Sequence, residues 1–228
     1  MFHAKLSVFS RRLVVLPAAL LAGVLFIAPP AQAGAVLFTP AWKSLEFFRI
    51  PATKYRMNGT SVEITARQSS SVIYTPLPEA DWPARRASWD WAVESSVPPT
   101  DLSVKGGDDR NAALYFVFLD RETAGRIGRT ASIRKLLTSR AARILVYTFG
   151  GDRPAGSLLP NPYLGERGAI IIRRPAMTGA FSETVDLAAD FQRAFGTAPQ
   201  ALVGIALAAD SDNTDSEVIA SISNLRLD

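Results

Sequence analysis

Two short acidic stretches hold the side chains best suited to chemistry. Lys105-Gly106-Gly107-Asp108-Asp109 and Asp210-Ser211-Asp212-Asn213 each crowd carboxylates together, with a lysine beginning one and an amide ending the other. If the two stretches meet, Asp108, Asp109, Asp210 and Asp212 offer oxygen ligands of the kind a hard cation such as Ca²⁺ takes. Asp210 and Asp212 are the candidate metal ligands, because Asp-x-Asp opens a calcium loop, although the glycine and distal glutamate of an EF-hand do not follow. With Lys105 and Asn213 beside them, the same groups would instead bind sugar hydroxyls, or supply two carboxylates for glycoside cleavage. Asp and Asn also build turns and cap backbone N–H groups without any ligand, and that role competes with all three.

A second set is aromatic: Trp42, Trp82, Trp89 and Trp91. A tryptophan ring offers a flat apolar face to the C–H groups of a sugar. Trp89 and Trp91 stand two residues apart and share one face of a strand, where large aromatics belong in a core. Trp82, between Asp81 and Pro83, is the one expected at the surface as a ligand-stacking residue. The stretch from Arg121 to Arg143 carries seven basic residues and one acid. It suits an acidic polymer or a membrane surface, or is a solvated helix face. Gly106-Gly107 and Gly150-Gly151 match neither a P-loop nor a dinucleotide fingerprint.

Absences narrow the chemistry. The chain has no cysteine, hence no disulfide, thiol nucleophile or Cys-ligated metal. Its single histidine, His3, lies in a segment that reads as an export signal. Lys5, Arg11 and Arg12 precede an uncharged run from Leu13 to Ala28, then Pro29-Pro30 and Ala31-Gln32-Ala33. This is a basic region, an apolar region and an A-x-A site, in order. Cleavage is expected between Ala33 and Gly34, leaving no stable membrane anchor, because the apolar run falls short of the ~20 residues that span a bilayer. Ser10-Arg11-Arg12 fits a general secretory signal and also resembles a twin-arginine core. The expected location is the periplasm or the exterior. Without His3 there is neither a Ser-His-Asp triad nor a His-based zinc site. Three of the 25 basic residues also leave, so residues 34–228 carry 22 basic against 21 acidic groups, a net of +1. That balance gives no reason to expect nucleic acid as a partner.

The elements that must position these groups are short strands. Lys54–Met57 and Ser61–Ala66 flank Asn58-Gly59, which predicts a type I′ hairpin. Further strands are expected at 71–76, 89–93, 112–119, 143–149, 169–173, 201–209 and 218–227, with turn residues between them. Apolar spacing predicts a helix over 184–195, stopped by Gly196 and Pro199, and a weaker one over 130–143. The sum is a mainly β single domain over 34–228, an antiparallel sandwich with one or two short helices. If the strands 112–119 and 201–209 are antiparallel neighbours, both acidic stretches fall at one end of it.

The chain resembles the DUF3047 family of exported bacterial proteins. The resemblance rests on Trp42-Lys43-Ser44-Leu45-Glu46-Phe47, Ile50-Pro51-Ala52-Thr53-Lys54-Tyr55, Trp89-Asp90-Trp91, Lys105-Gly-Gly-Asp-Asp109, Tyr115-Phe-Val-Phe118, Val146-Tyr-Thr-Phe149, Asn161-Pro162-Tyr163, Asp190-Phe191, Phe195-Gly196, Gly204-Ile-Ala206 and Asp210-Ser-Asp-Asn-Thr214. Asp90, Ala113 and Arg174-Pro175 depart from the family pattern. The resemblance implies a jelly-roll-like sandwich similar to carbohydrate-binding modules, and no established activity. The expected function is therefore non-catalytic binding of a glycan or cell-envelope polymer, with no cofactor needed unless Ca²⁺. The alternatives are a carboxylate-dependent glycan-acting enzyme and a structural envelope protein.

Overall fold

The computed structural model describes Met1, residues 34–127, Ser132, Leu136 and residues 139–228. The export segment, and most of the helix expected over 130–143 with Arg134 and Lys135, lie outside the described residues; where the structure is described, Arg140 stands in a turn and Arg143 opens a strand, so the helix does not reach 143. Thirteen strands are described: β1 Gly34–Ala35, β2 Lys43–Glu46, β3 Lys54–Asn58, β4 Ser61–Arg67, β5 Ser70–Pro76, β6 Arg86–Ser95, β7 Arg110–Leu119, β8 Arg143–Phe149, β9 Leu158–Asn161, β10 Gly165–Arg174, β11 Gly179–Asp186, β12 Ala201–Asp210 and β13 Glu217–Leu227. They make two sheets. One runs β11-β6-β13-β4-β3, with β1 added to β13, and the other runs β2-β5-β12-β7-β8-β10-β9. The pairs are antiparallel except β8 with β10, which is parallel. The fold is the expected jelly-roll-like β-sandwich.

The residue pattern explains the layers. In β6, Ala87, Trp89, Trp91 and Val93 alternate inward, and β13 does the same with Val218, Ala220 and Ile222. These face Leu114, Phe116 and Phe118 of β7, Tyr147 of β8 and Leu207 of β12 in one core between the sheets. Trp89 and Trp91 are only 1% and 2% exposed, with ring centroids 5.3 Å apart, so they are core residues. β7, β8 and β12 are apolar on both faces because the outer face of the seven-stranded sheet is also covered. There, Val117, Ile144, Val146, Ile170 and Ile172 form a second cluster with Leu102 and Ala124.

Two expectations shift in detail. The hairpin turn sits at Gly59-Thr60, since Asn58 already pairs with Ser61. Only Gly59 is left-handed (φ 67°), as the first central position of a type II′ turn requires. The helix begins at Leu187, because Thr184–Asp186 complete β11 against β6. Asp186 then caps the helix, accepting a 2.9 Å bond from the Ala189 N–H, and left-handed Gly196 ends it. A further helix, Arg121–Ile127, follows β7.

A buried ionic clasp joins the layers at one side. Glu183 points inward from β11 with its side chain 1% exposed, and Arg173 and Arg174 of β10 reach it at 2.7 and 2.8 Å. A carboxylate so buried is held only because it is fully paired.

Candidate functional site

A cavity of ≈ 360 Å³ opens on the outer face of the seven-stranded sheet, at the end where both acidic stretches emerge. The strand register fixes its floor. In the end row, Asp210 of β12 sits between Ser70 of β5 and Arg110 of β7. One step further in lie Val72, Ala208, Ala113 and Thr148, and beyond them Tyr74, Ala206, Tyr115, Val146 and Ile170. The central positions are alanines, which project least and keep the floor low. Phe47 and Ile50 line the wall beyond β2, Leu102 and Asp108 line it from the connection before β7, and Asn161 to Leu164 line it from the β9–β10 turn.

Arg110 reaches this floor through an irregularity. Ala208 pairs with Ala113, but Asp210 pairs with Arg110, so Asn111 and Ala112 of β7 stand opposite Ala209 alone. This bulge reverses the alternation. Without it, Arg110 would share the inner face with Ala112 and Leu114. The bulge is pinned by Asn111, which is fully buried, accepts a 2.9 Å bond from the Val97 N–H and donates to Ser96 Oγ at 3.0 Å.

The charges converge on Arg110. Its Nη1 lies 3.7 Å from Asp108 Oδ2 and 3.6 Å from Asp210 Oδ2, and its Nη2 donates to the Tyr115 hydroxyl at 2.8 Å. Burial opposes the guanidinium charge, but the Tyr115 oxygen, Asp210 and Asp108 outweigh it and push its proton affinity up. Asp210 behaves differently. Burial pushes its carboxyl up to about 8 against the pull of Arg110, helped by a hydrogen bond with Asp212 and by the negative charges of Asp108 and Asp212. Asp210 therefore favours its protonated form at neutral pH, hydrogen-bonded to Asp212.

The remaining predicted residues divide. Asp108, Asp210, Asp212 and Asn213 do meet at the cavity. Asp109 is fully buried behind it and ties the loop: Oδ1 accepts from Asn213 N–H at 3.3 Å, and Oδ2 accepts from the Thr214 N–H at 2.7 Å and its hydroxyl. Lys105 lies outside the lining, with its ammonium 6.0 Å from the Tyr163 ring centre. Trp82 is not brought to the site. It is half-buried, its indole N–H donates to Leu77 O, and its carbonyl accepts from Leu202 N–H. That places it eight residues up β12 from Asp210, roughly 27 Å by strand rise. The 3₁₀ turn Glu79–Asp81 leads the chain there rather than to the acidic end.

One oxygen each of Asp109, Asp210 and Asp212 lies within 4.8 Å of the others. Calcium takes six to eight oxygens. Here both oxygens of Asp109 are committed to the loop, and Asp210 faces a guanidinium. The trio is better described as a loop tie plus a hydrogen-bonded pair.

What the site lacks is informative. Among the described residues, five buried side-chain polar atoms have no hydrogen-bond partner. Two are the indole nitrogens of Trp89 and Trp91 in the core. The other three, Arg110 Nε, Thr148 Oγ1 and Asp210 Oδ1, all belong to residues lining the cavity. Unpaired buried polar atoms are costly, and these three gather at the cavity. Tyr163 stands at the rim, 55% exposed, its hydroxyl donating to Asp108 Oδ1 at 2.8 Å and accepting from Gly106 N–H at 3.2 Å.

The family model described as "Protein of unknown function (DUF3047)" matches residues 40–226, the whole span from β2 to the end of β13. The chain belongs to the DUF3047 family. No curated protein matches it. The fold of this DUF3047 member is similar to solved structures at low identity. The xyloglucanase domain of NopAA, a type three effector from Sinorhizobium fredii in complex with cellobiose, is 9% identical with a TM-score of 0.44, over 82% of this chain and 92% of that one. A family 12 xyloglucanase from Bacillus licheniformis is 10% identical, again at 0.44, over 83% and 97%. A cellulase derived from Cel12A of Rhodothermus marinus is 12% identical at 0.40, over 86% and 97%. Likeness at this level carries no inference about activity. In this DUF3047 chain the residues that matter for the site include several that alternation and charge alone do not single out: Arg110, hidden by the bulge, with Tyr115, Thr148 and Tyr163. Tyr163 does stand in the Asn161-Pro162-Tyr163 block. There, Asn161 Oδ1 accepts from the N–H groups of Tyr163 and Leu164 at 3.0 Å each, an Asx turn that holds the ring over the rim.

Proposed function

We propose that this chain is an exported, non-catalytic binding protein whose cavity takes a saccharide, either free or at the end of an envelope polymer. Cleavage after Ala33 would place it in the periplasm or outside the cell. The observation that carries the reading is the trio of unpaired buried atoms beside a rim aromatic. Vicinal hydroxyls donate and accept at once. One sugar edge can therefore serve Asp210 Oδ1, Arg110 Nε and Thr148 Oγ1 together, while its C–H face lies on Tyr163 or Phe47. A dominantly apolar cavity with a few convergent polar groups is the usual form of a small-molecule site.

Asp210 gives a second reading some support. A carboxyl held protonated beside Asp212 at neutral pH is the raw material of a general acid. Binding is preferred because Asp210 and Asp212 are hydrogen-bonded to each other, with no gap between them for a sugar or a water. A retaining pair stands about 5–5.5 Å apart, and an inverting pair further still.

The test is calorimetric titration and thermal shift of the purified protein against a panel of mono- and oligosaccharides. At least one saccharide should raise the melting temperature, since a ligand selective for the native state stabilises it. Asp210→Ala and Tyr163→Ala should lose that shift. No shift with any saccharide would refute the reading. Cleavage of a panel member that stops in Asp210→Asn would replace it with the catalytic one.

A further inference from the structure

The polar groups of the cavity occupy one end and leave the rest apolar. Asp210, Arg110 and Ser70 form the end row, with Asp108, Asp212 and Asn213 above it. Thr148 contributes a single hydroxyl in the next row. Leu45 and Val72 stand in that same row on the opposite flank, and Val146 and Ile170 line the cavity one row beyond. Leu45 pairs with Val72, and Ile170 with Val146, so the four form apolar flanks on either side of the alanine-floored centre. The Tyr115 hydroxyl does not serve this half, because it turns back to Arg110 at 2.8 Å.

An unsubstituted sugar does not suit that half. Its ring presents hydroxyls on every side, and a hydroxyl buried against Leu45, Val72, Val146 and Ile170 would find no partner, which is costly. We infer that the preferred ligand is a saccharide bearing an apolar substituent, an acyl or alkyl group, with its hydroxyl edge on Asp210 and Arg110 and its substituent over these four residues. The inference rests on the saccharide reading and adds the substrate class.

Methyl, butyl and hexyl β-glycosides of glucose and galactose are the probes, with 1-hexanol as the sugar-free control, titrated calorimetrically into the purified protein. Affinity should rise about fourfold per buried methylene until the apolar half is filled. Leu45→Asn, on the edge strand β2, should abolish this chain-length dependence. Val72→Thr, a near-isosteric change that keeps the strand propensity, should weaken the dependence and guards against misfolding of the first variant. Equal affinity for methyl and hexyl glycosides would overturn the substituent inference and leave the saccharide reading standing. If 1-hexanol binds as tightly as hexyl glycosides and Asp210→Ala has no effect, the saccharide reading fails instead. Absence of binding by every glycoside overturns both.

Discussion

Replacing Asp210 by Asn should remove a specific pH dependence of stability. In the folded protein the Asp210 carboxyl is pushed up to about 8, against an ordinary aspartate value of 3.8, chiefly by burial. Between those limits the folded state holds a proton that the unfolded state has released. The contribution is therefore fully present below about pH 4, is lost as pH rises through the window, and is flat above about pH 8. At ~1.4 kcal/mol per pH unit, the full loss approaches ~6 kcal/mol. Asparagine keeps the shape and cannot ionise. Urea unfolding of the purified protein at half-unit steps from pH 4.5 to 9 would measure both stabilities. The difference between wild type and Asp210→Asn should change steadily to the asparagine variant's advantage as pH rises, then level off near pH 8. Asp212→Asn should move that plateau to lower pH, because it removes the hydrogen bond and the negative charge that help raise Asp210. Parallel pH profiles for wild type and Asp210→Asn would show that Asp210 is ionised throughout, and the description of the hydrogen-bonded pair would fall.

Other outcomes follow from the same geometry. Glu183→Ala should destabilise by about 2–3 kcal/mol in urea melts. It leaves Arg173 and Arg174 unpaired, and their partial exposure keeps the loss below that of a fully buried pair. Asp109→Ala should cost about 2–4 kcal/mol by stranding the Asn213 and Thr214 donors. Asp108→Asn should change stability by less than about 1 kcal/mol yet weaken ligand affinity, and the paired measurements separate a loop tie from a site residue. Trp82→Phe should leave saccharide affinity unchanged in calorimetry, because Trp82 sits at the far end of β12.

The sandwich is legible in the sequence because its evidence is local. Alternation in Trp89-Asp90-Trp91-Ala92-Val93 and the continuous apolar runs of 112–119 and 201–209 state strand and burial together. The meeting of the two acidic stretches follows once those last two runs are placed side by side, and they are neighbours, β7 and β12. The rest depends on relations that alternation does not encode. The short strand β9 and the edge strand β11 draw their order from partners, and Thr184 looks helical until β6 claims it. Arg110 is hidden because a two-residue bulge breaks the period of two on which any face assignment relies. Asp109 and Asp108 are adjacent and chemically identical in sequence. Only burial separates the one that ties a loop from the one that faces the cavity. The fate of Trp82 turned on where a 3₁₀ turn leads the chain, which neither of its neighbours specifies.

The bulge at Asn111-Ala112 has an evolutionary meaning. Substitution can alter a binding site one side chain at a time, but a change in length acts on a whole strand end. Deleting either residue of the bulge would restore regular pairing between β7 and β12 and leave Arg110 two places from Ala113, still on the outer face; straightening β7 with both residues kept would instead set Asn111 opposite Asp210 and turn Arg110 inward beneath Ala112 and Leu114. The bulge is thus how this chain carries an extra residue without losing the site. Within the family, members one residue shorter between the Lys-x-Gly-Asp-Asp block and the central strand should keep the arginine on the cavity face with a regular strand, whereas members of this length need the bulge.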